Sequence, residues 1–257
     1  MNLNSIRGIV GGAMVLGAGV SSAGAGLLVD LRFPEGDRKT HFAAPGSTVN
    51  IDVYAVLTGA DSNDTGKRES FQSLRGSFVS TGPVLGQIVP LGTSPTDKPA
   101  IAPFNGLGSQ RGNSVDLDGD GDLDLGSNEA PHAGYVFFRS NLRQVLIRPG
   151  ETDEEGNDHA PFGTEVANGM GWEAPIGSLR FVMGNGTLKS SKLTAIDFKL
   201  ENSEAALLFI VDGQVLTGLT GLNQFATSPV FIGVPEPGSL GLLGLCSIHL
   251  LSRRRRR

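Results

Sequence analysis

The chain has 257 residues and a formal net charge of −5, with 6% aromatic residues, 37 glycines and 14 prolines. Setting aside Arg7, Glu236 and the five terminal arginines leaves 15 basic and 25 acidic residues in positions 26–233, a net charge of −10. A body this acidic excludes binding to nucleic acid or anionic lipid through bulk charge and suits divalent cations and a solvated surface. The single cysteine, Cys246, lies beyond that body, so no disulfide can stabilise it. Its length suffices for one domain with a sizeable core, and the glycine and proline content favours short strands and turns over long helices.

At the N-terminus, Met1–Gly8 carries one positive charge, Arg7, and Ile9–Val20 is apolar. Ser21-Ser22-Ala23-Gly24-Ala25 then supplies small residues, with Ala23-Gly24-Ala25 as an A-x-A site. This order is that of a secretory signal peptide over residues 1–25, cut by signal peptidase after Ala25 or Ala23. It implies export.

The body reads as strands. Leu27, Val29, Leu31 and Phe33 alternate onto one face, and Val49, Ile51 and Val53 do so again after the turn Ala44-Pro45-Gly46-Ser47. Further strands are expected at Phe71–Val79, Val84–Leu91, Gly134–Phe138, Arg143–Arg148, Ser178–Met183, Thr194–Leu200, Ala206–Val211, Gln214–Thr217 and Pro229–Ile232. Asp212-Gly213 is a two-residue hairpin turn between two of them. The only helix to consider is a short one near Ser140–Gln144. Many short strands with no sustained 3.6-residue period predict an all-β fold, a single antiparallel β-sandwich or jelly roll over residues 26–233. Two polar insertions, 92–133 and 149–173, interrupt it.

The first insertion holds the one chemical constellation, Asp116-Leu117-Asp118-Gly119-Asp120-Gly121-Asp122-Leu123-Asp124-Leu125-Gly126. Ca2+ takes six to eight hard oxygen ligands, which short carboxylates on a tightly curled loop can supply. With Asp116 at position 1, Asp118 and Asp120 fall at positions 3 and 5 and Gly121 at position 6. Asp122 falls at position 7, which contributes a backbone carbonyl, and Asp124 at position 9. Leu123 is free to plug into a core. The pattern resembles the calcium loops of EF-hands, dockerins and the FG-GAP repeats of β-propellers, and the nine-residue FG-GAP form fits best because position 12 is Ser127 rather than Glu. The expected cofactor is Ca2+, acting as a structural staple.

The remaining polar residues carry less. Glu151, Asp153, Glu154, Glu155 and Asp158 lack alternation and read as a solvated loop. His41, His132 and His159 share no metal-ligand spacing. Trp172 is expected to anchor a loop or the core, with stacking on a sugar ring as the alternative. No nucleophile elbow, phosphate loop or zinc-protease motif is present, so no catalytic residue is expected. The turn and alternation in Ala44–Val53, with Ile176–Phe181 and Leu193–Phe198 later, resemble the opening and closing strands of cohesin-type domains. That resemblance implies a jelly-roll sandwich that binds protein partners.

The chain closes with Pro235-Glu236-Pro237, an apolar run from Leu240 to Ile248, and Arg253, Arg254, Arg255, Arg256 and Arg257. The prolines make a rigid, extended approach, and the arginines hold the C-terminus on the cytoplasmic side. The apolar run is short for a transmembrane helix, so spanning needs snorkelling and local thinning. Residues 234–257 resemble the PEP-CTERM sorting signal. That resemblance implies recognition of Pro235, Glu236 and Pro237 by an exosortase, transient residence in the inner membrane, and delivery to the cell surface or exterior, with extracellular polysaccharide as a partner. The expected protein is therefore exported and non-enzymatic. A carbohydrate- or protein-binding module is the alternative, and a glycoside hydrolase the third reading.

Overall fold

The computed structural model describes residues 26–36, 38–58, 70–92, 94, 96–129, 132–140, 145–146, 163–165, 171–185, 192–211, 214–218 and 220–235. The expected signal peptide, residues 141–144 of the possible short helix, the acidic stretch 151–159 and residues 236–257 lie outside them.

Seventeen strands are described. The first nine are β1 (Gly26–Arg32), β2 (Thr40–Phe42), β3 (Thr48–Thr58), β4 (Ser70–Thr81), β5 (Gly86–Pro90), β6 (Gln110–Arg111), β7 (Ser114–Val115), β8 (Asp124–Leu125) and β9 (Val136–Arg139). The others are β10 (Val145–Leu146), β11 (Thr164–Glu165), β12 (Gly171–Met183), β13 (Thr194–Leu200), β14 (Leu207–Val211), β15 (Gln214–Thr217), β16 (Phe225–Ser228) and β17 (Val230–Gly233). One sheet runs β16–β1–β3–β12, with β11 and β5 following one another along the other side of β12. The second is built on β4. Along one side of β4 lie β13 and then β14; along the other lie β8, β9 and β10. β17 and β2 extend this sheet beyond β13, and β15 extends it beyond β14.

The two sheets form a sandwich because their alternating apolar residues have nowhere else to hide. Leu27, Val29, Leu31, Phe33, Val49, Ile51 and Val53 are all buried, as their period of two requires. From the other sheet come Phe71, Leu74, Phe78, Ile196, Phe198 and Phe209. Phe78 meets Phe138 edge-on at 6.2 Å and Phe198 at 5.1 Å between ring centroids. Each such side chain withdrawn from water contributes about 1.5–3 kcal/mol before entropy is counted.

The sandwich departs from an all-antiparallel one in two places. β16 lies parallel to β1, and β17 parallel to β2. The last segment of the chain enters beside the first strands and runs in their direction, which the whole intervening chain allows. At Pro229, which cannot donate to a ladder, it passes from the first sheet to the second. The sequence reading also placed the start of β12 seven residues too late, at Ser178, because the true start, Gly171, falls inside the second polar insertion. Pro175 and a register shift between Pro175 and Gly177 obscure the alternation there. The other insertion is not a loose appendage. Ile101 donates to the Ile176 carbonyl at 3.1 Å, and Phe104 is fully buried.

A charged cluster crosses the outer face of the first sheet. Arg32 forms a two-pronged pair with Glu173, lies 4.3 Å above the Tyr54 ring, and donates from Nε to Asp30 at 2.7 Å. Lys39 also pairs with Asp30. Burial acts to raise the Asp30 carboxyl, but the bonds from Lys39 and Arg32, with Ser228 adding to them, outweigh it and leave its pKa lowered. A carboxyl depressed in the folded state contributes stability above its unfolded pKa of about 4, and loses it as pH falls through the folded value. Urea unfolding of wild type and Asp30→Asn should therefore show the variant weaker near neutral pH and the gap closing below about pH 4. A gap independent of pH would count against this ion-pair account.

Candidate metal centre

The aspartate loop is fixed at both ends by backbone pairing. Before it, Ser114 and Val115 pair with Leu125 and Asp124. After it, Leu125 pairs with Phe78 of β4 and is fully buried, and the Gly126 amide donates to the Asn113 carbonyl at 2.7 Å. In the middle, the Leu123 amide donates to the Gly86 carbonyl at 3.0 Å, and its own carbonyl accepts from the Ile88 amide at 2.8 Å. The expected plug is thus corrected: Leu123 is 40% exposed, and its backbone docks the loop on β5. The following apolar residue, Leu125, enters the core. Leu125 lies in β8 and is carried inward by its pairing with Phe78, whereas Leu123 lies before that strand, in the curl, where alternation does not set its direction.

Within the loop, Asp116 works as a turn former. One carboxylate oxygen accepts from the Gly119 amide at 2.7 Å and the other from the Gly121 amide at 3.1 Å. Asp118 accepts from the Asp120 amide at 3.3 Å, and Asp120 from the Asp122 amide at 3.2 Å. This curl needs φ of +80° at Gly119 and +98° at Gly121, the left-handed region where side chains are strained. Space is not the constraint, since a Cβ at either position would meet nothing within 4 Å.

The end of β4 holds the carboxylates from below. Ser80 lies two residues beyond Phe78 and so faces the same way, inward. Its amide donates to Asp124 Oδ1 at 2.7 Å, and its hydroxyl lies 2.6 Å from Asp122 Oδ2 and 3.1 Å from Asp124 Oδ1. The Thr81 hydroxyl donates to Asp118 at 2.7 Å, and the Gly82 amide to Asp120 at 3.2 Å. The second oxygen of Asp124 takes the Leu117 amide at 2.9 Å. Ser80, Thr81 and Gly82 were not foreseen as part of the site. The signal was present: a serine on the buried side of an apolar strand demands a polar partner.

Two overlapping groups result. The carboxylates of Asp116, Asp118 and Asp120 each bring an oxygen within 4.8 Å of the others, and so do those of Asp118, Asp122 and Asp124. All five aspartates singled out in the sequence thus share one site. Asp116 and Asp118 face solvent, whereas Asp122 and Asp124 are 2% and 0% exposed. Burial above all pushes the Asp122 carboxyl up to about 7; the Ser80 hydroxyl opposes this, and repulsion from Asp120 and Asp124 adds to it. Burial likewise raises Asp124, against bonds from Ser80 and Leu117, with Asp118 repelling it. The salt bridges among the described residues lie elsewhere, at Arg32, Lys39, Arg75 and His132.

These residues fit a hard divalent cation. The donors are all oxygen, the loop curls them toward one another, and Asp122 Oδ1 is buried with no hydrogen-bond partner. An unsatisfied buried oxygen of this kind costs about 1–3 kcal/mol, more when charged, unless something neutralises it. The histidines described do not converge on such a site. His41 lies 5.2 Å from the Phe33 ring, and His132 Nδ1 pairs with the buried Glu201, which also takes Arg75. Trp172 lies on β12, half-buried against the core, as an anchor would. A shallow depression lined by Val79, Thr81, Ala195, Asp197, Phe198 and Lys199 contains one carboxylate, Asp197, whose Oδ1 accepts from the Phe198 amide at 2.8 Å.

Comparison with known families identifies the other end of the chain. Residues 233–257 match the PEP-CTERM protein-sorting motif. The chain has no significant match among curated proteins. The motif marks an exported protein, anchored in the membrane and then processed by an exosortase-type sorting enzyme. Of its signature residues, Pro235 is described and half-buried; Glu236, Pro237 and Arg253–Arg257 lie outside the described residues.

Two variants separate the scaffold role of this loop from cation binding. Asp124→Ala strips the partner from two backbone amides and should destabilise the domain by about 2 kcal/mol or more even with chelator present. Asp116→Ala also frees two amides, but those of Gly119 and Gly121 are exposed and water can take them, so stability in chelator should change by no more than about 0.5 kcal/mol while the response to added calcium weakens. Thermal melts of both variants with and without calcium provide the measurement; equal behaviour of the two would refute the division.

Proposed function

We propose that this chain is an exported, non-enzymatic sorting substrate whose body is a calcium-stapled β-sandwich for display or structural use at the cell surface or in the matrix. The N-terminal segment acts as the signal peptide cut by signal peptidase. The C-terminal segment holds the protein in the inner membrane until an exosortase-type enzyme reads Pro235-Glu236-Pro237 and removes the tail.

The observation that carries this reading is where the sandwich stops. Its described part opens with β1 from Gly26, beyond the expected signal-peptidase site, and its last described strand ends at Gly233, where the sorting motif begins. β17 is hydrogen-bonded on both sides, to β13 and to β2. Cutting beyond Pro237 removes no described strand and leaves β17 paired on both sides. Both processing events therefore leave every described strand in place, as delivery of an intact domain requires.

The described surface gives less support to a ligand-binding module. Tyr54 is covered by Arg32, and Trp172 packs against the core, so neither offers a free aromatic platform. Calcium has a stapling role here because the loop joins β4, β5, β7 and β8.

Fractionation of the native host, with mass spectrometry of the mature C-terminus, should find the protein outside the cytoplasm and lacking Arg253–Arg257. A cytoplasmic protein that retains Arg257 would defeat the assignment. Independently, saturating calcium should raise the melting temperature over that in chelator by about 5–10 °C. Superimposable melts, with no heat of binding, would remove calcium from the reading but leave the sorting intact.

A further inference from the structure

A loop of this spacing that holds a single ion uses position 7 only through its backbone carbonyl. Asp122 occupies that position, so its carboxylate is surplus to a one-ion site. A surplus carboxylate belongs in water. Here it is 2% exposed, and one of its oxygens has no partner at all.

What surrounds it is no better supplied. Ser80 has one hydroxyl proton to serve both Asp122 Oδ2 and Asp124 Oδ1. The two backbone amides that reach this inner pair, those of Ser80 and Leu117, both go to Asp124. Asp118 belongs to the inner group with Asp122 and Asp124 and equally to the outer group with Asp116 and Asp120. A carboxylate has two oxygens and can bridge two cations, which in paired sites lie about 3.5–4 Å apart.

We propose that the loop binds two divalent cations: an outer one held by Asp116, Asp118 and Asp120, and an inner one held by Asp118, Asp122 and Asp124, with Asp118 bridging them. This rests on the calcium reading above and extends it. The charge balance favours it. Five carboxylates carry −5; one calcium ion leaves −3 on nine residues, two leave −1. The inner cation gives the buried, unpartnered oxygen of Asp122 a counter-charge, among carboxylates that Ser80 and Thr81 tie to the end of β4. The outer cation shapes the solvent-facing curl. The pair resolves a feature that one ion at the outer ligands leaves untouched, the unsatisfied inner carboxylate.

The test is a count. Native mass spectrometry and calorimetric titration with calcium chloride, on the full chain in detergent, should give two calcium ions per chain for the wild type. Asp122→Asn, which keeps the shape of the side chain, should give one, and so should Asp116→Asn. A wild-type count of one, unchanged by Asp122→Asn, would overturn the two-ion site and leave the single-ion staple standing. No calcium bound by the wild type would overturn both. Because the wild-type count needs no mutation, a variant that fails to fold does not shield the proposal.

Discussion

Five carboxylates drawn together within nine residues repel one another, and the end of β4 is where this protein gathers them. Ser80, Thr81 and Gly82 reach four of the five with a hydroxyl or an amide. β4 can do this because it is the most heavily paired strand of its sheet, flanked by β13 and β14 on one side and by β8, β9 and β10 on the other. A strand so constrained cannot move to relieve the charge. Relief is left to protonation, in keeping with the raised Asp122 carboxyl, or to a ligand, and an all-oxygen donor set fits a hard cation. The same rigidity that packs Phe78 into the core thus holds the carboxylates of the loop above it together.

A second polar centre is handled differently. Glu201, nearly fully buried, sits in the short connection between β13 and β14, where it takes Arg75 on one oxygen and His132 on the other. Ser203 donates to the Arg75-bound oxygen at 3.1 Å, and the Arg75 guanidinium also lies 5.3 Å from the Phe137 ring centroid. Here the counter-charge is built from side chains, so the network closes on itself. The contrast sharpens the reading of the aspartate loop, whose described partners are hydroxyls and amides.

Much of the fold was legible because its strands alternate. Thr194–Leu200 and Gln214–Thr217 are bounded in the structure as their patterns predict, and Val211 pairs with Gln214 across the position of Asp212-Gly213. The five aspartates and Gly121 were legible for a different reason, since a ligand loop writes its geometry into local spacing. What escaped was non-local. β2 has only three residues and β16 only four, and each is a strand because of a parallel neighbour far away in sequence. The first half of β12 was hidden by Pro175 and the register shift beside it. Leu123 was misassigned because its backbone contact with β5 sets its place, and neither that contact nor β8 was foreseen. The partners at Ser80–Gly82 lie some forty residues from the loop they hold, and no local window contains both.

The path of the final segment has a mechanical consequence. β16 and β17 form a nearly continuous ribbon, stitched first along β1 and then between β13 and β2, and the sorting motif begins where that ribbon ends. A pull directed along this ribbon lies parallel to its length and across its hydrogen bonds. The bonds are then loaded together in shear and cannot be peeled open one after another. The domain thus resists tension along β16 and β17 with many bonds at once.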